Sequence, residues 1–133
     1  IDGNDLQVCL PLLAAYSPRV VCAEYNAKLR PPLEISVAYD ENHVWTGDDY
    51  QGSSLSAWSG ALKGKYLLVA CSLSGSNAFF VRTDLANGFS RYTERELYQP
   101  ARYHLTALRS GHPPSTSFLR SELDASPPME KRL

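Results

Sequence analysis

Leu6, Cys9, Leu10, Leu13 and Tyr16 recur at helical spacing and predict a helix over roughly Leu6 to Tyr16, with Asp5 as its cap. Pro11 interrupts the pattern: it removes one backbone donor and crowds the preceding turn, so the helix is expected to kink there or to begin near Leu10. Beyond Ser17-Pro18, the run Arg19-Val-Val-Cys-Ala-Glu-Tyr25 is short and β-branched, as in strands covered on both faces. Helical spacing returns over Ser53 to Leu62, where Leu55, Trp58 and Leu62 share a face and Gly64 suits the C-terminus. Tyr66 to Ser72 and Asn77 to Thr83 are two strand-like runs joined by Leu73-Ser-Gly-Ser76, the clearest hairpin signal in the chain.

Polar stretches separate these elements. Asn26 to Gly52 is rich in Pro, Asp, Asn and Tyr, and within it only Leu33 to Tyr39 alternates well enough to predict an extended piece. Long loops inside compact domains are uncommon and are often functional. After Asp84 the pattern weakens, with short helices predicted near Thr93 to Tyr98, where Thr93 and Glu96 have capping-box spacing, and near Ala101 to Arg109. Five of the nine prolines fall at or after Pro100, which predicts an extended tail lying on the domain or on a neighbour. The chain therefore divides into a domain over residues 1–90 and a Pro-rich extension over 91–133.

At 133 residues, 44% hydrophobic and 20% charged, the chain suits one globular domain with a sizeable core. A net charge of -1 supplies no electrostatic drive toward nucleic acid or an anionic membrane, and no run approaches the ~20 apolar residues of a membrane span. No signal-peptide pattern opens the chain. Cys9, Cys22 and Cys71 are odd in number and sit among apolar residues, and no Asn-x-Ser/Thr sequon occurs, so a soluble cytoplasmic protein is expected.

Most catalytic motifs are absent. Gly60-Ala-Leu-Lys-Gly64-Lys65 is one residue short of a phosphate-binding loop and is followed by Tyr66 where a magnesium-binding hydroxyl belongs. In Asp2-Gly3-Asn4-Asp5, Leu6 takes the place of the third alternate calcium ligand, and no distal bidentate Glu follows. His43, His104 and His112 lack metal-ligand spacing, no nucleophile elbow exists, and nothing pairs a cysteine with a histidine. What remains is two acidic strand tips. Ile1 reads as the end of a buried strand leading into Asp2 and Asp5, and Glu24, Tyr25 and Asn26 end the next. Open α/β sheets bind ligands beyond such tips, where carboxylates hold an amino or hydroxyl group. The plainer alternative makes Asp5 a helix cap, Glu24 a solvated strand end and Asn26 a turn residue.

Taken together, the Ile1-Asp2-Gly3-Asn4-Asp5 tip, the Val20-Val-Cys-Ala-Glu-Tyr-Asn26 strand and turn, and the hairpin ending in Asn77-Ala-Phe-Phe-Val-Arg82 resemble the C-terminal half of a class I S-adenosylmethionine-dependent methyltransferase of the FkbM-like branch. The resemblance covers roughly Ile1 to Leu85. It implies a partial Rossmann-like sheet of about four mixed strands with two or more helices: a fourth strand ending at Asp2, a fifth at Arg19 to Tyr25, and a sixth and seventh as the hairpin. Their implied spatial order is fourth, fifth, seventh, sixth. By the same resemblance, Asp2, Asp5, Glu24, Tyr25 and Asn26 border the cofactor and acceptor site. The glycine-rich turn and the ribose-holding acid that cradle the methyl donor have no counterpart here.

Three expectations follow. Part of the binding machinery lies upstream of Ile1, so the chain alone binds no cofactor and has no catalysis of its own. The open edge of its first strand drives self-association into a homodimer or higher oligomer. Alternatively, the chain is an assembly module that presents the 26–52 loop, with Tyr39, His43, Trp45 and Tyr50, to a partner. A complete small enzyme built on Asp2, Asp5, Glu24 and His43 is the least supported reading.

Overall fold

The computed structural model describes residues 1–102 and 116–125. It is an α/β fold built on an open three-stranded antiparallel sheet. Helix α1 (Asp5–Tyr16) leads into strand β1 (Val20–Glu24), and a long connection then reaches α2 (Leu55–Leu62). Strands β2 (Tyr66–Cys71) and β3 (Asn77–Arg82) form the hairpin, followed by the short α3 (Glu94–Leu97) and by α4 (Ser117–Ala125). The spatial order is β1-β3-β2, so β3 lies in the middle and runs antiparallel to both neighbours.

The fourth strand expected at Ile1 and Asp2 does not form. Residues 1–4 make a turn, with Gly3 at φ +91°, and Asn4 stands at the N-cap of α1. The reason is a long-range contact: the side chain of Asn4 is hydrogen-bonded to the backbone of Asp40 rather than extended along a neighbouring strand. Asp5 is therefore the first helical residue and not the cap, where its carboxylate still favours the helix N-terminus. The helix also continues through Pro11 instead of starting near Leu10. The lost bond costs a few kcal/mol in general, and burial of Leu6 with packing of Cys9, Leu10 and Leu13 against the core offsets it. Ser17, in the left-handed region, closes the helix through its N–H to the Leu13 carbonyl.

Alternation in the strands sorts side chains onto two faces. Val21 and Ala23 of β1, Ala78 and Phe80 of β3, and Tyr66 and Leu68 of β2 point to one face, and there they meet Leu55, Trp58 and Leu62 of α2 and the inner side of α1. Helices α1 and α2 thus cover the same face. On the other face Cys22 and Val20 stand exposed, Val20 at 56%. The expectation of a strand covered on both faces fails for β1, whose residues alternate exposed and buried from end to end.

Ser54 caps α2 by accepting from the Ala57 N–H. The Thr93–Glu96 capping box is present in α3, and the two bonds from Thr93 hold the Glu96 carboxyl below its usual range. A bulge at Val69 shifts the register between β2 and β3. Gly75, at φ +74°, turns the hairpin where the chain at Pro100 crosses it: a Cβ there would lie 2.3 Å from the Pro100 carbonyl oxygen. The helix expected near Ala101 to Arg109 falls almost wholly outside the described residues. The tail, expected to be extended, contains a helix at Ser117–Ala125.

Candidate functional site

Beyond the C-terminal tip of β1, the chain turns at Tyr25 and Asn26 into the long connection, and this turn forms one wall of a cleft. Asp5, Glu24, Tyr25 and Asn26 all line it, from segments about 20 residues apart in sequence. Asp2 is not among the lining residues and is exposed. The opposite wall comes from the connection itself through Trp45, Asp48, Asp49 and Gln51, with Lys28 at the turn. The sequence patterns did not single out Lys28, Asp48, Asp49 or Gln51.

The connection is held to the domain at both ends. Asn26 is the main anchor: its side-chain amide donates to the carbonyls of Asp49 at 3.0 Å and Gln51 at 2.9 Å, and its Oδ1 accepts from the Lys28 N–H at 3.0 Å. Its own N–H donates to the Ser53 carbonyl. At the other end, Asn4 Nδ2 donates to the Asp40 carbonyl at 2.7 Å, and Asn4 Oδ1 accepts from the Asp40 N–H. Gln7 Nε2 donates to the Val37 carbonyl and to Ser36 Oγ. Between these anchors, Ile35 to Val37 pairs with Gly52 to Ser54, so the extended piece read over Leu33 to Tyr39 is part of a small bridge.

Three of the four rings singled out in the loop face their own fold. The Trp45 indole N–H donates to the Asp48 carbonyl, the Tyr50 ring meets Phe118 edge-on at 4.8 Å, and Tyr39 stays 60% exposed. His43 Nε2 lies 2.7 Å from Gln51 Oε1, and its ring covers Gly3 so closely that a Cβ on that residue would lie 2.3 Å from it. His43 is thus a packing and bridging residue beside the cleft and not one of its lining groups.

Asp49 is 1% exposed, and both of its carboxylate oxygens accept from the first amides of α4, Phe118 N at 2.9 Å and Leu119 N at 2.8 Å. A carboxylate at that position satisfies two otherwise unpaired donors and suits the helix dipole. Asp49→Ala is expected to cost about 1–2 kcal/mol, the scale of a lost N-cap. Amide exchange should accelerate at Phe118 and Leu119 and leave β3 unchanged; equal acceleration in the sheet would refute a local role.

Chemically, the cleft carries the carboxylates of Asp5, Glu24, Asp48 and Asp49 against the single ammonium of Lys28. Asp49 is committed to α4 and Asp48 Oδ1 accepts from the Tyr50 N–H at 3.0 Å, and the remaining lone pairs of the cleft carboxylates suit acceptance of hydrogen bonds from an amine or hydroxyl. Tyr25 brings no reactive phenolate: its hydroxyl donates to the Gln99 carbonyl at 2.8 Å, and burial, with Cys71 alongside, pushes its pKa well up. Burial also raises the Cys71 thiol to about 11, so neither group ionises near neutrality. Among the described residues, no group of three or more His, Cys, Asp and Glu side chains is placed to hold a metal, and no helix is long and apolar enough to cross a membrane.

The class these observations define is an α/β domain with an open antiparallel sheet and an acidic cleft at one strand tip. Comparison with known protein families, curated proteins and solved structures finds no match for the chain.

Proposed function

We propose that the chain is the C-terminal half of a class I methyltransferase-like domain, without turnover of its own. The observation that supports this reading is the place of β3, between β1 and β2 and antiparallel to both. A final strand inserted beside the fifth is what the resemblance to FkbM-like methyltransferases implies. In this reading β1, β2 and β3 are the fifth, sixth and seventh strands of a Rossmann-like sheet whose remaining strands come from another polypeptide segment. The acidic cleft then forms the wall that receives the amino or hydroxyl group of a methyl acceptor, with Asp5, Glu24 and Asp48 as acceptors of its hydrogen bonds.

S-adenosylmethionine supplies the methyl group in that family. The glycine-rich turn and ribose-holding acid that would cradle it have no counterpart in the sequence. Half a cradle cannot provide the positioning on which methyl transfer depends. Calorimetric titration of the chain with S-adenosylmethionine is therefore expected to give no saturable heat at micromolar concentrations. Binding with a micromolar Kd would overturn the incomplete-cradle reading.

A further inference from the structure

Among the described residues, strand β1 has one partnered edge and one open edge, and the ladder identifies which groups lie on each. Tyr25 N–H donates to the Ser76 carbonyl, and Arg82 N–H donates to the Arg19 carbonyl. In an antiparallel ladder, alternate residues bond to the same neighbour. Residues 19, 21, 23 and 25 therefore face β3, and Val20 and Cys22 turn their N–H and C=O outward. Among the described residues, no backbone bond reaches either. Their side chains are exposed as well. Such an edge is a template for a further strand.

We infer that a second copy of this chain adds to that edge, β1 against β1 about a two-fold axis through Cys22. Charge is one reason. From Leu6 to Ala23 the chain carries a single charged residue, Arg19, in a protein with 13 basic and 14 acidic side chains. This segment meets its own copy with almost no like-charge repulsion. Helix α1, which presents Leu12 and Tyr16 to solvent at 49% and 78% exposure, lies on the same face of the sheet in both copies. A nearly uncharged helix with one uncovered side is the kind that oligomers bury.

Register supplies the second reason. A two-fold axis perpendicular to an antiparallel pair places one residue opposite its own copy, leaving three choices near the middle of β1. With Val21 on the axis, Pro18, which lacks an N–H, enters the ladder opposite Glu24. With Ala23 on the axis, Val20 faces Asn26, whose N–H is already given to the Ser53 carbonyl. Only with Cys22 on the axis do all five residues of β1 pair without either conflict, the Glu24 carbonyl, which already accepts from the Trp58 indole, taking the Val20 N–H of the second copy on its other lone pair. The result is one continuous sheet in the order β2-β3-β1-β1-β3-β2, isologous as in most homodimers.

This edge is also where the methyltransferase reading would add the fourth strand, so the dimer is expected of the chain without that strand, and its test shares no measurement with that reading. Sedimentation of the full chain is expected to give twice the 14.7 kDa monomer mass at concentrations up to about 100 µM, where micromolar affinity is saturating. Cys22→Lys and Cys22→Glu each place like charges face to face on the axis, and each is expected to sediment as a monomer. An equimolar mixture of the two variants should recover the dimer, because opposite charges then meet. A short bismaleimide should cross-link the wild-type dimer and fail to cross-link Cys22→Ser, a measurement that stands even if a charged variant misfolds. A monomeric wild type, a dimer that survives both charged variants, or cross-linking retained in Cys22→Ser would each overturn the proposal.

Discussion

Alanine at Trp58 is expected to lower the unfolding free energy by about 3–5 kcal/mol, the range for truncating a fully buried aromatic. Trp58 is 0% exposed and sits in one core cluster with Val21, Ala23, Leu68 and Phe80, so its ring joins α2 to all three strands. It also has a polar role: its indole N–H donates to the Glu24 carbonyl at 2.8 Å, fixing the β1 tip at which the cleft begins. Small domains are stable by roughly 5–15 kcal/mol in total, so this one change removes a large share. Urea denaturation should show a lower midpoint with an unchanged slope. Trp58→Phe, which keeps most of the packing and loses the hydrogen bond, should recover most of the difference, at a residual cost of about 1 kcal/mol. A loss below that in the alanine variant would mean that the core does not depend on this ring.

The second large effect is expected at Asn26. Its side chain makes three bonds to the connection, and at about 1 kcal/mol each its removal should cost about 2–3 kcal/mol. Asn26→Asp should be worse than Asn26→Ala, because a carboxylate would face the carbonyls of Asp49 and Gln51 with no hydrogens to offer. Amide exchange should accelerate in residues 49–54 before it does in β3, since the anchor is lost and the strand ladder remains. Uniform acceleration across the sheet would show that Asn26 supports the core rather than the cleft. With both amide hydrogens committed to the loop, Asn26 shapes the wall of the cleft that it lines.

Legibility in the sequence followed the range of the interactions involved. The hairpin was visible because its two strands and the Ser-Gly turn between them lie within 17 residues, and α2 because Leu55, Trp58 and Leu62 repeat on one face. Capping at Thr93 and Glu96 is likewise a three-residue affair. The first strand was misread at Ile1 because an apolar residue before an acidic turn suits a strand end as well as a helix approach, and the deciding contact, Asn4 with Asp40, spans 36 residues. α4 was hidden by the prolines around it, and what docks it is Asp49, about 70 residues earlier.

The cleft divides in the same way. Glu24 and Asn26 could be picked out because the tip of β1 is recognisable from where its apolar run stops, whereas the strand tip expected before Asp5 is a turn into α1. Asp48, Asp49 and Gln51 could not, because in a stretch full of Asp, Asn and Tyr nothing local marks which residues return to the β1 tip.

What the amino-acid order determined alone was the set of short-range elements: two apolar helices, three strands and their turns, each specified by periodicity and capping within a few residues. The tertiary structure decided which polar side chains would hold the 26–52 connection against the strand tip, that one face and one edge of β1 would stay open among the described residues, and that a buried carboxylate would anchor the last helix. The anchored connection and the anchored helix depend on hydrogen bonds between groups 25 to 70 residues apart, which form only once burial of the shared core has brought the segments together.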